Sequence, residues 1–421
     1  MKVVLISIGT RGDMEPFLAI GEILRDKGHQ VICAFPEQFR QLAEDATLNF
    51  ASLGTEYLAL LESDLGKEAM GEGGSGTKKF TANIKLASQQ TEINKALVYK
   101  QYEIIAKEKP ERILYNANAT YPVIWELDHR GKSILICAFP YLHYVKGHTH
   151  AAFHSNFGPF LNKLTYSMAN FGTVMTVGIT GRWLNLARKI PRRQIKNTLL
   201  SRKVIYTISP TLFSRPDYWP ENLQVLGFHA RRKTKNWQPD EKLIAFLAKH
   251  KDNGILLFTF GSMTNPDPEG KTHVILEILG RNKIPAIINI ASGGLVKPPE
   301  FAAEQICFVS KIPYERIFSQ VYGVIHHGGS GTTHLGLKNG CATMIIPHII
   351  DQFAWNEIIV QVGAGPNGIQ ISKITEKNLE PKILDLVNNK SYKKKARQIA
   401  SQMEKENFRE EIYKSIMGEQ L

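Results

Sequence analysis

The chain reads as an α/β protein of two domains, each a parallel sheet with helices on both faces. Three observations predict this. Apolar runs of strand length alternate with amphipathic helical stretches in both halves. Each half also carries a strand that breaks at a glycine-bearing turn and opens a helix, at Gly9–Asp13 and at Gly328–Thr332. Finally, 421 residues suffice for two cores of ordinary size.

The elements follow in order. Val3 to Ile8 is nearly continuous in apolar residues, as a strand buried on both faces requires. Glu15 to Lys27 has helical periodicity and stops at Gly28, and Val31 to Phe35 is the next strand. Ile113 to Tyr115, Ser133 to Phe139 and Val204 to Ile208 continue the sheet. Gly227 to Asp240 is basic and polar and contains Pro239, so it reads as a linker. The second half repeats the logic. A strand, Ile255 to Phe260, enters Gly261-Ser262, followed by a helix from about Glu269 and strands at Ala286 to Ile290 and Ile306 to Val309. The strand Val321 to Ile325 then runs into His326-His327-Gly328-Gly329-Ser330-Gly331-Thr332-Thr333. A helix from about Thr332, a strand at Ala342 to Ile346, a loop opened by Pro347 and the pair Asp351-Gln352 come next. The expected division is 1–228, a linker at 229–240, a second domain at 241–395 and a helical tail at 396–421. Leu65 to Phe80 is rich in glycine and poor in apolar residues. It reads as a flexible surface loop, either without function or acting as a lid.

Composition sets bounds. No apolar run reaches the ~18–20 residues of a membrane span. Arg11 and Asp13 follow the first apolar run directly, so the start reads as a buried strand and not as a signal peptide. Cys33, Cys137, Cys307 and Cys341 are scattered without metal-ligand spacing and read as buried thiols of a cytoplasmic protein. The formal charge of +13 is spread along the chain without aromatic interleaving, which argues against nucleic acid. Arg182 to Lys203 mixes bases with Trp183, Leu184, Leu186 and Ile190. It reads either as weak peripheral contact with anionic membrane or as a solvated helix face packed on the core.

The chemistry concentrates in the second glycine turn. A glycine-rich strand-to-helix turn brings backbone N–H groups close to an anion, and the helix aims its positive end at the same point. A histidine beside the turn adds a donor, and an acidic–amide pair after the next strand can bind sugar hydroxyls. That order of parts describes a nucleotide-sugar site.

This segment resembles the donor-binding signature of the UDP-dependent glycosyltransferases with two facing Rossmann-like domains (the GT-B fold), whose ligands lie in the cleft between domains. The sterol and antibiotic branch is the most similar, since its signature also reads His-His-Gly-Gly, then Pro, then Asp-Gln. The opening Gly9-Thr10-Arg11-Gly12-Asp13 and the stretch Ser209 to Phe228 resemble that branch too. The resemblance implies that His326, not its neighbour His327, donates to the α-phosphate of a UDP-sugar, with glucose the expected sugar. Gly328, Gly329, Ser330, Gly331 and Thr332 would hold the β-phosphate, with Ser262 nearby. Asp351 and Gln352 would bind the sugar hydroxyls, with Asn356 a further contact, and Ile312 would lie against the base. Read as structure alone, Asp351 would be the N-cap of a helix Phe353 to Gln361. The tail is implied to cross back onto the first domain.

No histidine stands in the first strand–helix loop, and the branch proposes its aspartate as the base. Asp13 is therefore the expected base on the acceptor side, taking the proton of the acceptor hydroxyl, and Gly12 beside it is expected among the donor-binding residues. Its alternative role is to cap the following helix and pair with Arg11. His143, His148, His150 and His154 offer a backup base or pocket lining. The aromatics Phe139, Tyr141, Tyr144, Phe153, Phe157, Phe160, Tyr166 and Phe171 suit an apolar acceptor such as a sterol, flavonoid or polyketide. The implied reaction is metal-independent inversion at the anomeric carbon by a monomer or weak dimer. A nucleotide-sugar epimerase or hydrolase of the same fold, a lipid-linked N-acetylglucosamine transferase and a non-enzymatic sugar-nucleotide binder remain as alternatives.

Overall fold

The computed structural model describes residues 1–62, 76–153, 155–186, 189–231, 237–251, 253–265, 267–310 and 312–419. Seven strands form the first sheet: β1 (Lys2–Ile6), β2 (Gln30–Phe35), β3 (Asn49–Ser52), β4 (Arg112–Tyr115), β5 (Ser133–Cys137), β6 (Lys203–Tyr206) and β7 (Leu223–Val225). Their spatial order is 3-2-1-4-5-6-7, and every pairing is parallel. Five more form a second parallel sheet: β8 (Leu256–Thr259), β9 (Ala286–Asn289), β10 (Ile306–Val309), β11 (Gly323–His326) and β12 (Ala342–Ile345), in the order 10-9-8-11-12. Strand order reverses beside β1 in one sheet and beside β8 in the other. Ligands of open parallel sheets bind at such switch points, outside the carboxyl ends of the strands.

Burial explains the apolar runs. Val3, Val4, Leu5 and Ile6 of β1 are inaccessible, as are Leu256, Leu257 and Phe258 of β8, because helices cover both faces of each sheet. β3 and β7 escape sequence reading: Asn49-Phe50-Ala51-Ser52 is too polar, and Leu223-Gln224-Val225 too short, to stand out from the loops around them. The helix expected from Glu15 begins at Arg11, so the whole Arg11-Gly12-Asp13 segment is its first turn. The loop expected at Leu65 to Phe80 lies outside the described residues up to Ser75, and from Gly76 the chain is helical, through Glu108.

The tail is two helices, Lys390–Glu404 and Arg409–Met417. The second packs Ile412 and Ile416 among Val3, Leu5 and Ile205 of the first sheet. Arg112 and Lys203 donate to the carbonyls of Met417 and Ser415, and Lys27 pairs with Glu410 at 2.8 Å. A second tie joins the sheets. Glu406 accepts hydrogen bonds from the Ser209 hydroxyl and from the amide and hydroxyl of Thr211.

Candidate active site

Asp13 sits in the first turn of the helix Arg11–Asp26, which leaves the carboxyl end of β1. Its carboxylate accepts from the Thr10 amide at 2.8 Å and the Thr10 hydroxyl at 3.2 Å. Burial outweighs these bonds and raises its pKa to about 6. The pairing expected with Arg11 does not form, because Arg11 reaches one turn on to Glu15 at 3.1 Å. Gly12 is exposed beside Asp13 and leaves the turn open to a ligand.

From the other sheet, β11 ends at His326. This ring is inaccessible, and its Nδ1 accepts the Gly328 N–H at 3.0 Å. Burial lowers its pKa to about 3, so the ring is neutral. A neutral ring that accepts at Nδ1 carries its proton on Nε2. That Nε2–H is buried without a partner in the protein.

The turn is shaped around the other histidine. A Cβ at Gly329 would meet His327 Nε2 at 2.5 Å, and one at Gly261 would meet His327 Cε1 at 2.7 Å. The His327 ring thus fills the gap between the glycine turns after β8 and β11, while a Cβ at Gly331 would meet only open space. Gly328 has φ +100°, and a Cβ there would meet Ile345 Cγ2 at 2.8 Å and Gln352 Cβ at 3.1 Å. The helix Ser330–Lys338 begins here, with Thr332 buried behind the turn and Ser330 at its first position. Ser262 is exposed at the end of β8. Ile312 is half-buried and packs on the core beside Tyr314, whose hydroxyl meets Thr259 Oγ1 at 2.7 Å.

Asp351 opens the helix Asp351–Gln361 as its first residue. Ile350, at φ +31°, stands at the cap, so the expected N-cap role is corrected. Burial, and then the charge on Asp13, push the Asp351 carboxyl up to about 7. Gln352 is buried and its Oε1 accepts the amides of His348 and Ile349, which fixes the loop after β12. Asn356 bonds Asn367 and Gly368 and is buried, so both ends of its amide are engaged in structure and not with a ligand.

The histidine run divides. His143 is half-buried and meets the Tyr206 hydroxyl at 2.6 Å, and desolvation depresses it to about 3. Burial lowers His150 to about 4. His148 stacks on Tyr141 and reaches Glu357 at 3.3 Å, bringing the loop after β5 onto the helix Asp351–Gln361. His154 lies outside the described residues. Of the aromatics expected around an acceptor, Tyr141 and Tyr166 are buried, but Phe157, Phe160 and Phe171 face outward. Among the described residues no group of three or more His, Cys, Asp or Glu could hold a metal. None of their helices is long and apolar enough to cross a membrane. All four cysteines are free thiols.

Sequence reading missed two histidines. His334 donates from Nδ1 to the Ser330 carbonyl, accepts the Ser209 amide at Nε2 (3.1 Å) and stacks on Phe228, linking the glycine-turn helix to the first domain. His348 donates to Ile346 O and leaves a buried Nε2 unpartnered near His327. Pro347-His348 directly after an apolar strand was the available signal.

Two parallel α/β sheets, each with a glycine-bearing turn at a switch point and with Asp13 in the field of Asp351, define the GT-B class of glycosyltransferase fold. Comparison agrees and narrows it. Residues 3–111 match the glycosyltransferase family 28 N-terminal domain, and residues 298–418 match the erythromycin biosynthesis protein CIII-like C-terminal domain. The chain is thus similar to glycosyltransferases in both its N-terminal and its C-terminal portion. It is 27% identical over 390 residues to a sterol 3-beta-glucosyltransferase of Arabidopsis thaliana, covering 91% of this chain and 62% of the relative. A second sterol 3-beta-glucosyltransferase of that plant is 28% identical over 428 residues, covering 97% and 64%. The chain thus spans less than two thirds of the length of these relatives. Among solved structures, the glycotransferase of kitacinnamycin superposes with a TM-score of 0.68 at 14% identity, covering 99% of both chains. The spinosyn rhamnosyltransferase SpnG complexed with thymidine diphosphate superposes with a TM-score of 0.63 at 14% identity, covering 99% and 100%.

Proposed function

We propose that the chain is an inverting glycosyltransferase that moves glucose from UDP-glucose to a hydroxyl of a flat apolar acceptor of the sterol type. The observation that carries this reading is the opposition of Asp13 and Asp351. One carboxylate stands on the first domain with its pKa raised to about 6, within the electrostatic reach of a second that adjoins the glycine turn. A base with a pKa near neutrality on the acceptor side and sugar-binding groups on the donor side are what displacement at an anomeric carbon requires. The sterol glucosyltransferases among its relatives support the acceptor class and the sugar.

In this reading the acceptor oxygen forms a bond to the anomeric carbon as the bond from that carbon to the diphosphate oxygen breaks. Asp13 takes the acceptor proton. The leaving diphosphate gains negative charge, which the N–H groups of Ser330, Gly331 and Thr332 and the unpartnered His326 Nε2–H stabilise. These donors perform the role a cation would otherwise fill, so the reaction proceeds without added metal. Asp351 and the Gln352 side chain orient the sugar, and Ile312 with Pro313 faces the base.

The test is product analysis with UDP-glucose or thymidine-diphosphate-glucose, with and without a sterol. A glucoside formed only with acceptor and UDP-glucose supports the reading. Donor turnover that ignores the acceptor points instead to an epimerase or hydrolase of the same fold.

A further inference from the structure

The helix Pro159–Trp183 is inside out over its first half. Its buried side chains there are Asn162, Thr165 and Tyr166, held by polar bonds to Gly147 O, the His150 amide and Thr149 O. Its outward side carries Phe160, 82% exposed, with Leu161, Leu164, Met168 and Phe171 at 47–61%. Residues spaced i, i+4, i+8 and i+11 share one helix face, so these side chains form a single patch and not scattered exposures. The sequence around the patch is equally lopsided. From His129 to Pro216 there is no aspartate or glutamate, and the thirteen lysines and arginines of that stretch equal the whole chain's formal net charge of +13. Lys163 lies exposed within the patch, and Arg192, Arg193 and Lys196 are exposed on the helix Arg192–Ser201, which packs on the second half of the same helix through Ile195 beside Gly178.

We propose that this face docks on the surface of a bilayer containing anionic lipid, with Leu161, Leu164, Met168 and the two phenylalanines entering the interface and the flanking bases meeting the headgroups. An exposed apolar stripe flanked by cations, on a stretch of chain that contains no acid, matches an anionic lipid surface in both polarity and charge. A protein partner or a second copy would have to bury the same positive field against its own acids, and the same stretch of a second copy supplies none. The position gives the contact a purpose that rests on the transferase reading. The helix is anchored through Gly147, Thr149 and His150 to the loop that carries His148 to Glu357, at the mouth between the domains. A membrane-dissolved hydroxylated acceptor would enter the cleft there without crossing water. The flanking bases belong to the Arg182 to Lys203 stretch that sequence alone singled out, while the apolar residues lie on the helix before it.

The experiment is sedimentation of the full chain with vesicles of phosphatidylcholine alone or mixed with phosphatidylglycerol. It compares wild type, the Leu164→Asp/Met168→Asp variant and the Arg192→Glu/Lys196→Glu variant, with thermal midpoints confirming folding. Wild type is expected to pellet with the mixed vesicles only, and each variant to lose binding by about tenfold or more. Turnover of a water-soluble acceptor should be unchanged. Wild type remaining in the supernatant, folded variants that pellet like wild type, or a wild-type dimer that Leu164→Asp/Met168→Asp makes monomeric would each overturn the proposal. Vesicle binding without any glucosyl transfer would remove the transferase reading and leave this surface standing; transfer without vesicle binding would do the reverse.

Discussion

Asp13 and Asp351 stand on the first turns of helices from different sheets, and the charge on Asp13 adds to burial in raising Asp351 to about 7. Two carboxylates in one another's field cannot both ionise cheaply, so one of them holds a proton near neutral pH. The pair therefore couples the ends of the two sheets through charge.

The first consequence concerns rate. Asp13→Asn keeps the shape and the Thr10 contacts but removes the base. It is expected to lower kcat by about 10²–10⁴-fold, while UDP binding measured by titration calorimetry stays within a few-fold. A variant that retains wild-type kcat would move the base elsewhere.

The pH profile follows with a defined sign. The base must be deprotonated, so kcat/KM should rise with pH through about 6, the raised value of Asp13. A limb near the ordinary aspartate value would mean that the carboxylate is solvated in the working enzyme.

Stability should move the opposite way. The folded pKa of Asp351 lies above its ordinary 3.8, so its contribution is complete below that value and is lost as pH rises through about 7. Asp351→Asn escapes the loss. It should unfold at a higher temperature than wild type at pH 8, by on the order of 1–2 kcal/mol, with the gap closing toward pH 4. Equal midpoints at both pH values would contradict the burial argument.

The strand-end turns that frame the candidate site were legible because their demands are local. A glycine turn between an apolar strand and a helix leaves a sequence trace, and so does an acid in the first strand–helix loop. The roles of individual side chains were less legible, since packing decides them. His326 and His327 are adjacent and chemically identical in sequence, yet the fold gives one a free buried N–H and wedges the other between Gly261 and Gly329. Asn356 looked like a ligand group until Asn367 and Gly368 engaged it across a loop. The outward turn of Phe160 and Phe171 was invisible because their helix has no clean amphipathic pattern.

The glycine turn gives a packing prediction. Gly329→Ala places a methyl about where the His327 ring stands, 2.5 Å from Nε2. Overpacking of this kind costs about 1–3 kcal/mol, read by denaturant unfolding, and donor binding should weaken as the turn shifts. A neutral effect on both would mean that the ring moves freely.

The tail gives another. Ile416 is inaccessible and packs against the first sheet, although it lies 75 residues beyond Cys341. Ile416→Ala should cost about 2–5 kcal/mol, and calorimetry should show the loss in a transition that includes the first sheet. Loss confined to the second sheet would contradict this docking.

The most direct test of the central claim is mass spectrometry of the products formed from UDP-glucose and a sterol by wild type, Asp13→Asn and His326→Ala. The account predicts a single β-linked sterol glucoside from wild type and far less from either variant, with UDP affinity collapsing only for His326→Ala. Glucoside formation by Asp13→Asn at the wild-type rate, or UDP-glucose consumption by wild type with no glucoside at all, would contradict it.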